Sequence, residues 1–432
     1  MAEYYIKKVL FASGERFPML INDTTSIPDY NSTVFTITQY RSKGQSVNTI
    51  EQVLYHLKLL KLFLKNYSTE GIDLESRLNQ GRLLYLHEIE SLCDMCKLPL
   101  KNIIDDTHKD QFTQTTKLNS LEKFRSNNSH KQTKTVDPNT TAHRIRVIRD
   151  FLMWLANAHM AKLPEYDLTF NTMKESRDLI KSSMTSRIPK SSDSSLISTA
   201  MGLPEEAMDI LFAVVDRSSA YNPWKSEFTK VRNELLILWL YQFGMRRGEL
   251  LSLKISDLNF KSKTFDLIRR ADDPDDPRLV QPLLKTRERR TAMPKKIANL
   301  TYAYITNYRT YLPKAKTHEF LFVADKTGAP MSLVAVNKVF SKLKESHPDM
   351  LGSLTPHVLR HSWNDRFSAL MDEKNIPEKK EKKLRAYLMG WSETSNSAAT
   401  YTKRHTQKKA NEVTLQMADG LPSHINPNKE EE

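Results

Sequence analysis

Cysteine is nearly missing from this chain of 432 residues, which has two, Cys93 and Cys96. Two thiols cannot build a disulfide framework, and one C-x-x-C supplies only half of a zinc site, which would have to recruit side chains such as His87 and His108. The simpler reading is a pair of reduced thiols on a partly buried helix of a cytosolic protein. Long apolar runs are missing too. The longest strongly apolar stretch, Leu235–Tyr241, is far too short to span a bilayer. Charge and polarity interrupt any signal-peptide core in the opening Met1–Lys8. Acidic residues are outnumbered: 65 Lys and Arg face 51 Asp and Glu, a net charge of +14. A polyanionic partner is therefore favoured over a neutral one, with nucleic acid ahead of a membrane because no amphipathic anchor or lipidation pattern is present.

An apolar content of 39% is that of a folding chain, and the length allows two or three domains. Residues 1–45 carry β-rich pieces, Tyr4–Phe11 and Thr33–Tyr40, and are expected to form an arm or small domain. A helix is expected from Asn48, with Glu51 completing a capping signature and Ile50, Val53, Leu54, Leu57, Leu60 and Leu64 on one face. Lys109–Pro138 reads as a long polar loop. A second helix, Thr141–Met160, turns Ile145, Ile148, Leu152 and Leu155 inward and crowds Arg144, Arg146 and Arg149 into its first turns. Those arginines are either a solvated face or contacts to a phosphate backbone. The serine-rich stretch after Lys181 cannot build a core, so a linker is placed at 186–200, between a helical domain at 46–185 and a second domain at 201–432. Lys181, Arg187 and Lys190 leave this strap basic.

The second domain opens with helices at Pro204–Asp216 and Glu227–Phe243, and strands are expected at Thr264–Arg269, Val280–Lys285 and Arg290–Met293. Its chemistry concentrates in Thr355-Pro356-His357-Val358-Leu359-Arg360-His361-Ser362. The proline marks a helix start, His357 and His361 share one helical face, and an arginine beside an imidazole suits an anionic, phosphate-like reacting group. Taken alone, this segment reads first as a capped surface helix, with metal binding well behind because no acidic ligand sits in register. Three other segments accompany it: Gly244-Met245-Arg246-Arg247-Gly248-Glu249-Leu250-Leu251 upstream, then Met389-Gly390-Trp391-Ser392 and Thr400-Tyr401-Thr402 downstream.

In this order and combination the segments resemble the tyrosine recombinase, or phage integrase, family over about Ile197–His405. The resemblance implies a multidomain, mainly α chain with a small β-sheet: a helical core-type DNA-binding domain and a mixed α+β catalytic domain. It implies a site-specific recombinase that cuts and rejoins DNA through a 3′-phosphotyrosyl intermediate, integrating or excising a mobile element without cofactor, metal or ATP. Arg246 and Arg360 then clamp the scissile phosphate, and His357 exchanges protons beside them. Lys285 protonates the leaving 5′-oxygen, Trp391 buttresses the site, and Tyr401 is the nucleophile. Glu249 and His361 support them, while Arg287 and Arg289 position the backbone together with the basic residues named above. Partners implied are double-stranded recombination sites, a homotetramer assembled on DNA from protomers free in solution, and a directionality factor or host DNA-bending protein. A segment such as Glu412–Met417 would dock on a neighbour, and the setting is bacterial, cytoplasmic and nucleoid-associated.

Two departures from the family pattern bear on Tyr401. It follows Trp391 by ten positions, one more than expected, and the charged stretch Glu378–Lys383 intervenes, read as a solvated helix face. Tyr387 is its nearby competitor. The alternatives are a type IB topoisomerase-like or resolvase enzyme with the same chemistry, and a DNA-binding accessory protein without catalysis. The residue types suit the enzyme on physical grounds. Arginine forks stay protonated and meet two phosphate oxygens at once, each such donor being worth about 3 kcal/mol in the transition state.

Overall fold

The computed structural model describes residues 4–67, 71–100, 103, 135–190 and 202–392, with 410, 411, 413, 414 and 417 near the C-terminus. The chain divides into two compact units, one of Met1–Phe11 with Arg16–Ser194 and the other of Ala12–Glu15 with Ser195–Glu432. Both are mainly helical. The expected loop Lys109–Pro138 lies outside the described residues up to 134, as does most of the expected linker, from 191 to 200.

In the first unit, strands β1 (Tyr4–Leu10) and β2 (Arg16–Asn22) pair antiparallel, Tyr4 opposite Asn22. Phe17 and Leu20 of β2 join the same apolar core as Ile50, Val53, Leu54, Leu57 and Leu60, so the hairpin is part of the helical unit's core. Thr33–Tyr40, expected as a strand for its β-branched residues, is helical instead. Helix α1 (Tyr30–Thr36) runs into a π-helical turn at Ile37–Arg41. The cap decides this: Asp29 accepts from the Ser32 N–H at 2.9 Å and from Lys61 Nζ at 2.6 Å, and Phe35 inserts edge-on against Phe151. Local propensity is a weak prior beside such contacts.

Helix α2 (Val47–Asn66) starts one residue before Asn48, because Ser46 is the cap and accepts from the Thr49 N–H. Its six expected inward residues are all buried. After α3 (Leu74–Asn79) and α4 (Leu86–Met95), α5 (Pro138–Met160) begins three residues before the expected Thr141, with Asp137 as cap and Pro138 in the first turn, where its missing N–H costs nothing. Helix α6 (Leu168–Ser186) packs along it and carries the exposed Lys181, so the expected strap begins as ordered helix. Cys93 and Cys96 are buried, and burial pushes their thiols up to about 11 and about 12. His87 stacks on Tyr85, and His108 lies outside the described residues.

Arg144, read as a backbone contact to DNA, is buried: its Nη1 donates to the carbonyls of Cys96 at 2.9 Å and Leu98 at 2.6 Å. It ties α5 to the end of α4, since the carbonyls closing a helix lack partners within it.

The second unit is built around α8 (Glu227–Phe243), whose Leu236, Trp239 and Leu240 are fully buried, with α7 (Glu205–Val215) against it. Past the short α9 (Arg247–Ser252) come β3 (Leu258–Asn259), β4 (Thr264–Leu267) and β5 (Arg289–Ala292), a three-stranded antiparallel sheet in the order β3-β4-β5. Val280–Lys285, expected as a strand, is instead part of an irregular excursion between β4 and β5. Pro282 removes a ladder donor there, and Gln281 bonds the Arg270 carbonyl and the Asp272 N–H across the excursion. Helices α10 (Lys295–Asn307), α11 (Leu333–Ser346), α12 (Pro348–Leu351), α13 (Pro356–Glu373) and α14 (Glu378–Met389) complete the unit.

The charged start of α14 is not wholly a solvated face. Glu381 and Arg385 are buried, and Arg385 donates to Asn364 Oδ1 at 3.1 Å and Ser368 Oγ at 2.6 Å on α13 while pairing with Glu381.

Replacing Arg144 with Met is expected to cost about 2 kcal/mol, because a buried carbonyl, that of Cys96, and a part-buried one, that of Leu98, lose their donor. Arg146→Met, two residues along but exposed, should change stability by less than about 0.5 kcal/mol. Urea denaturation of both variants checks this, and equal effects would contradict the assignment.

Candidate active site

Four segments of the second unit converge. Helix α8 ends on Gly244, whose φ of 57° is left-handed, and the chain turns so that Arg246 becomes the cap of α9. A side chain at position 244 would place its Cβ 2.8 Å from the Trp363 ring. Three residues after Arg246, Glu249 is fully buried. Its Oε1 accepts from Arg246 Nη1 and from Thr286 Oγ1, both at 3.1 Å, and its Oε2 accepts from Arg289 Nη2 at 3.2 Å and the Arg246 N–H at 3.3 Å.

Arg360, more than a hundred residues later, enters from α13. It is nearly fully buried, and its Nη1 donates to the Gly244 carbonyl at 2.6 Å. This bond fixes the second arginine to the turn that presents the first. Trp391, also buried, lies with its ring centre 5.4 Å from the Arg360 guanidinium carbon, within cation–π range. Gly390 ends α14 with a φ of 66° and accepts from the Arg287 N–H at 2.8 Å, so Trp391 is joined to the excursion that carries Lys285.

Electrostatics bind the group together. Burial by itself would raise the Glu249 carboxyl, but Arg289, Arg360 and Arg246 outweigh it and hold the group below the ordinary 4.5. Desolvation, then the positive charges of Arg360 and Arg246, hold His357 below the ordinary 6.5. Its ring is therefore neutral at pH 7, able to take a proton, and it remains exposed at the surface. His361 is buried with its ring centre 4.4 Å from that of His357.

Of the remaining expected site residues, Lys285 is exposed on the excursion between the buried Leu284 and the bonded Thr286, and Arg287 is exposed beside it. Tyr401 lies outside the described residues, and so does Glu412. Its competitor Tyr387 is tied down, its hydroxyl donating to the Arg290 carbonyl at 3.2 Å. Arg289, expected as a backbone contact to DNA, is buried and serves Glu249 instead. Arg146, Lys181 and Lys190 are exposed, whereas Arg149 pairs with Asp150 and Arg187 with Glu90. Thr286 escaped the sequence reading: it flanks Lys285, but nothing local marks a threonine as the partner of a buried glutamate.

The arrangement presents one partly exposed guanidinium, a second buried against the turn that carries the first, a neutral imidazole and an exposed ammonium two positions from a backbone bond to Gly390. Such a set can stabilise charge on a phosphoryl group and move protons beside it.

Glu249→Gln is expected to destabilise the protein at pH 7 by about 3 kcal/mol, since it uncouples buried cations. A depressed carboxylate contributes stability that is present above the unfolded value near 4.5 and lost as the pH falls through the folded one. The gap between the parent and the variant should therefore shrink below pH 4.5, as read by urea unfolding at pH 7 and pH 3.5.

Residues 211–408 match the model of the phage integrase family. No curated protein matches the chain. Among solved structures, the XerH site-specific recombinase bound to palindromic difH substrate is 16% identical, covering 85% of this chain and 94% of its own, with a TM-score of 0.41. The Tn1549 transposon integrase in complex with circular intermediate DNA is 18% identical, with coverages of 65% and 92% and a TM-score of 0.36. The XerA recombinase is 14% identical, with coverages of 90% and 97% and a TM-score of 0.35.

Proposed function

Residues 211–408 match the phage integrase family, and from that match we propose that the protein is a site-specific DNA recombinase that cuts and rejoins strands through a 3′-phosphotyrosyl intermediate. The observation that carries this reading is the bond from Arg360 to the Gly244 carbonyl, which brings two arginines distant in sequence around one carboxylate with His357 beside them.

The steps follow from the charges. Arg246, whose side chain is 34% exposed, meets the scissile phosphate directly. Arg360 adds positive potential from below, where low dielectric makes a charge count for more. The Tyr401 oxygen attacks phosphorus as the bond from phosphorus to the 5′-oxygen breaks. Neutral His357 accepts the phenol proton and the Lys285 ammonium gives one to the departing 5′-oxygen, so charge and protons balance. The phosphotyrosyl bond retains the energy of the broken linkage, and a 5′-hydroxyl of the same or another strand reverses the step. Because guanidinium groups supply the charge stabilisation, the reaction needs no metal ion. Exchange between two sites calls for four protomers acting in pairs, integrating or excising a mobile element. The net charge of +14 suits the DNA partner.

A suicide substrate nicked near the crossover tests this. The unmodified protein should become covalently attached to DNA, in EDTA as in buffer, and Tyr401→Phe should abolish attachment. Arg246→Lys should slow it by about 100-fold or more. DNA affinity should fall with salt at a log–log slope of about −5 to −10. No attachment by the native protein would leave a DNA-binding accessory protein, and site-independent relaxation of plasmids would point to a topoisomerase-like enzyme.

A further inference from the structure

The excursion between β4 and β5, residues 268–288, is long for a hairpin connection, yet it is pinned rather than loose. Its outgoing leg is held by Arg270 on Asp257 (Nη1 to Oδ2, 3.0 Å) and by Lys254 on Asp273 (2.9 Å). Its return leg carries Lys285. Arg278 stands where the return begins. Its Nε and Nη2 grip both oxygens of Asp276 at 2.8 Å, its Nη1 donates to the carbonyls of Leu251 at 3.1 Å and Met331 at 2.9 Å, and its guanidinium carbon sits 4.3 Å from the Phe320 ring centre. Asp276 is almost wholly buried.

Leu251 belongs to α9, the six-residue helix that Arg246 caps and that carries Glu249. Two further ties reach the same helix from beyond Arg278. A Cβ on Gly248 would lie 3.0 Å from the Leu283 carbonyl oxygen, so the excursion's backbone rests against the helix at its glycine. Thr286, next to Lys285, donates to Glu249. Leu283 to Thr286 thus runs along α9 between two fastenings, and Arg278 is the fastening that precedes both.

We propose that Arg278, locked by Asp276, is a positioning residue that sets the register of Lys285 against Arg246 by docking the excursion on α9. This rests on the recombinase reading above and adds to it a residue whose own side chain touches neither DNA nor the reacting atoms. Lysine has a long, flexible stem, so its delivery of a proton depends on where its backbone is held, and a displacement of about 1 Å can cost about 100-fold in rate. Lysine in place of Arg278 would keep the charge while losing the fork that holds Asp276 and two carbonyls together.

The test compares two suicide substrates of one sequence, an ordinary scissile phosphodiester and one with sulfur in place of the bridging 5′-oxygen. The thiolate leaves without a proton, so it does not need the acid. In Arg278→Lys and in Asp276→Asn, single-turnover attachment to the ordinary substrate is expected to slow by about 10- to 100-fold. Attachment to the sulfur substrate should stay within about twofold, the pattern Lys285→Ala itself should show. DNA affinity, measured alongside, confirms that the variants fold. Equal slowing on both substrates with intact affinity, or no slowing on either, would overturn the proposal. A native protein that attaches to neither substrate would overturn the recombinase reading instead.

Discussion

A single buried carboxylate organises the second unit. Glu249 has no exposed surface, yet it accepts from Arg246, Thr286 and Arg289, which come from a helix cap, an irregular excursion and a strand. A buried carboxylate is tolerable only when its charge is matched and its lone pairs are filled. Glu249 therefore demands its partners, and each demand draws a different segment to one place. Arg246 is held in a defined orientation by a group that does not itself face solvent, which is what a pre-arranged anion contact requires.

A second polar knot does for Trp391 what Glu249 does for Arg246. Arg385 and Glu381 are buried against Asn364 and Ser368, so α14 is fastened to α13 by hydrogen bonds with defined geometry. Apolar packing would allow the two helices to slide more freely, whereas this network allows one register. From that register the chain leaves α14 through a left-handed glycine and lays Trp391 by Arg360. The helices that carry His357, Arg360 and Trp391 are thereby one construction, and the Arg360 bond to Gly244 joins it to the turn at Arg246.

The first unit uses the same device for a different end. Arg144 closes off the carbonyls at the end of α4, and Asp29 with Lys61 sets α1 against α2. Charge is spent on architecture in a chain that also has basic surface to spare. The composition therefore overstates how many cations remain for a polyanion, and Arg144, Arg289, Arg278 and Arg385 are all committed within the fold.

Periodicity and order were enough to read much of this from the residues. The inward faces of α2 and α5 follow from apolar spacing, because a helix has one repeat whatever it packs against. The succession of motifs around Arg246, Arg360 and Trp391 is likewise a property of the chain alone. Strand and helix limits depended on more: Ser46 rather than Asn48 caps α2, Thr33–Tyr40 is helical because Asp29 and Phe35 find distant partners, and Val280–Lys285 is no strand because Pro282 lacks a ladder donor and the Gln281 side chain bonds the backbone of Arg270 and Asp272. What only the tertiary structure decided is which of several identical side chains faces inward. Arg144 and Arg146 are two residues apart and chemically the same, as are Arg287 and Arg289. Burial separates them, and burial is conferred by acceptors contributed from elsewhere in the chain, which no local pattern of residues encodes.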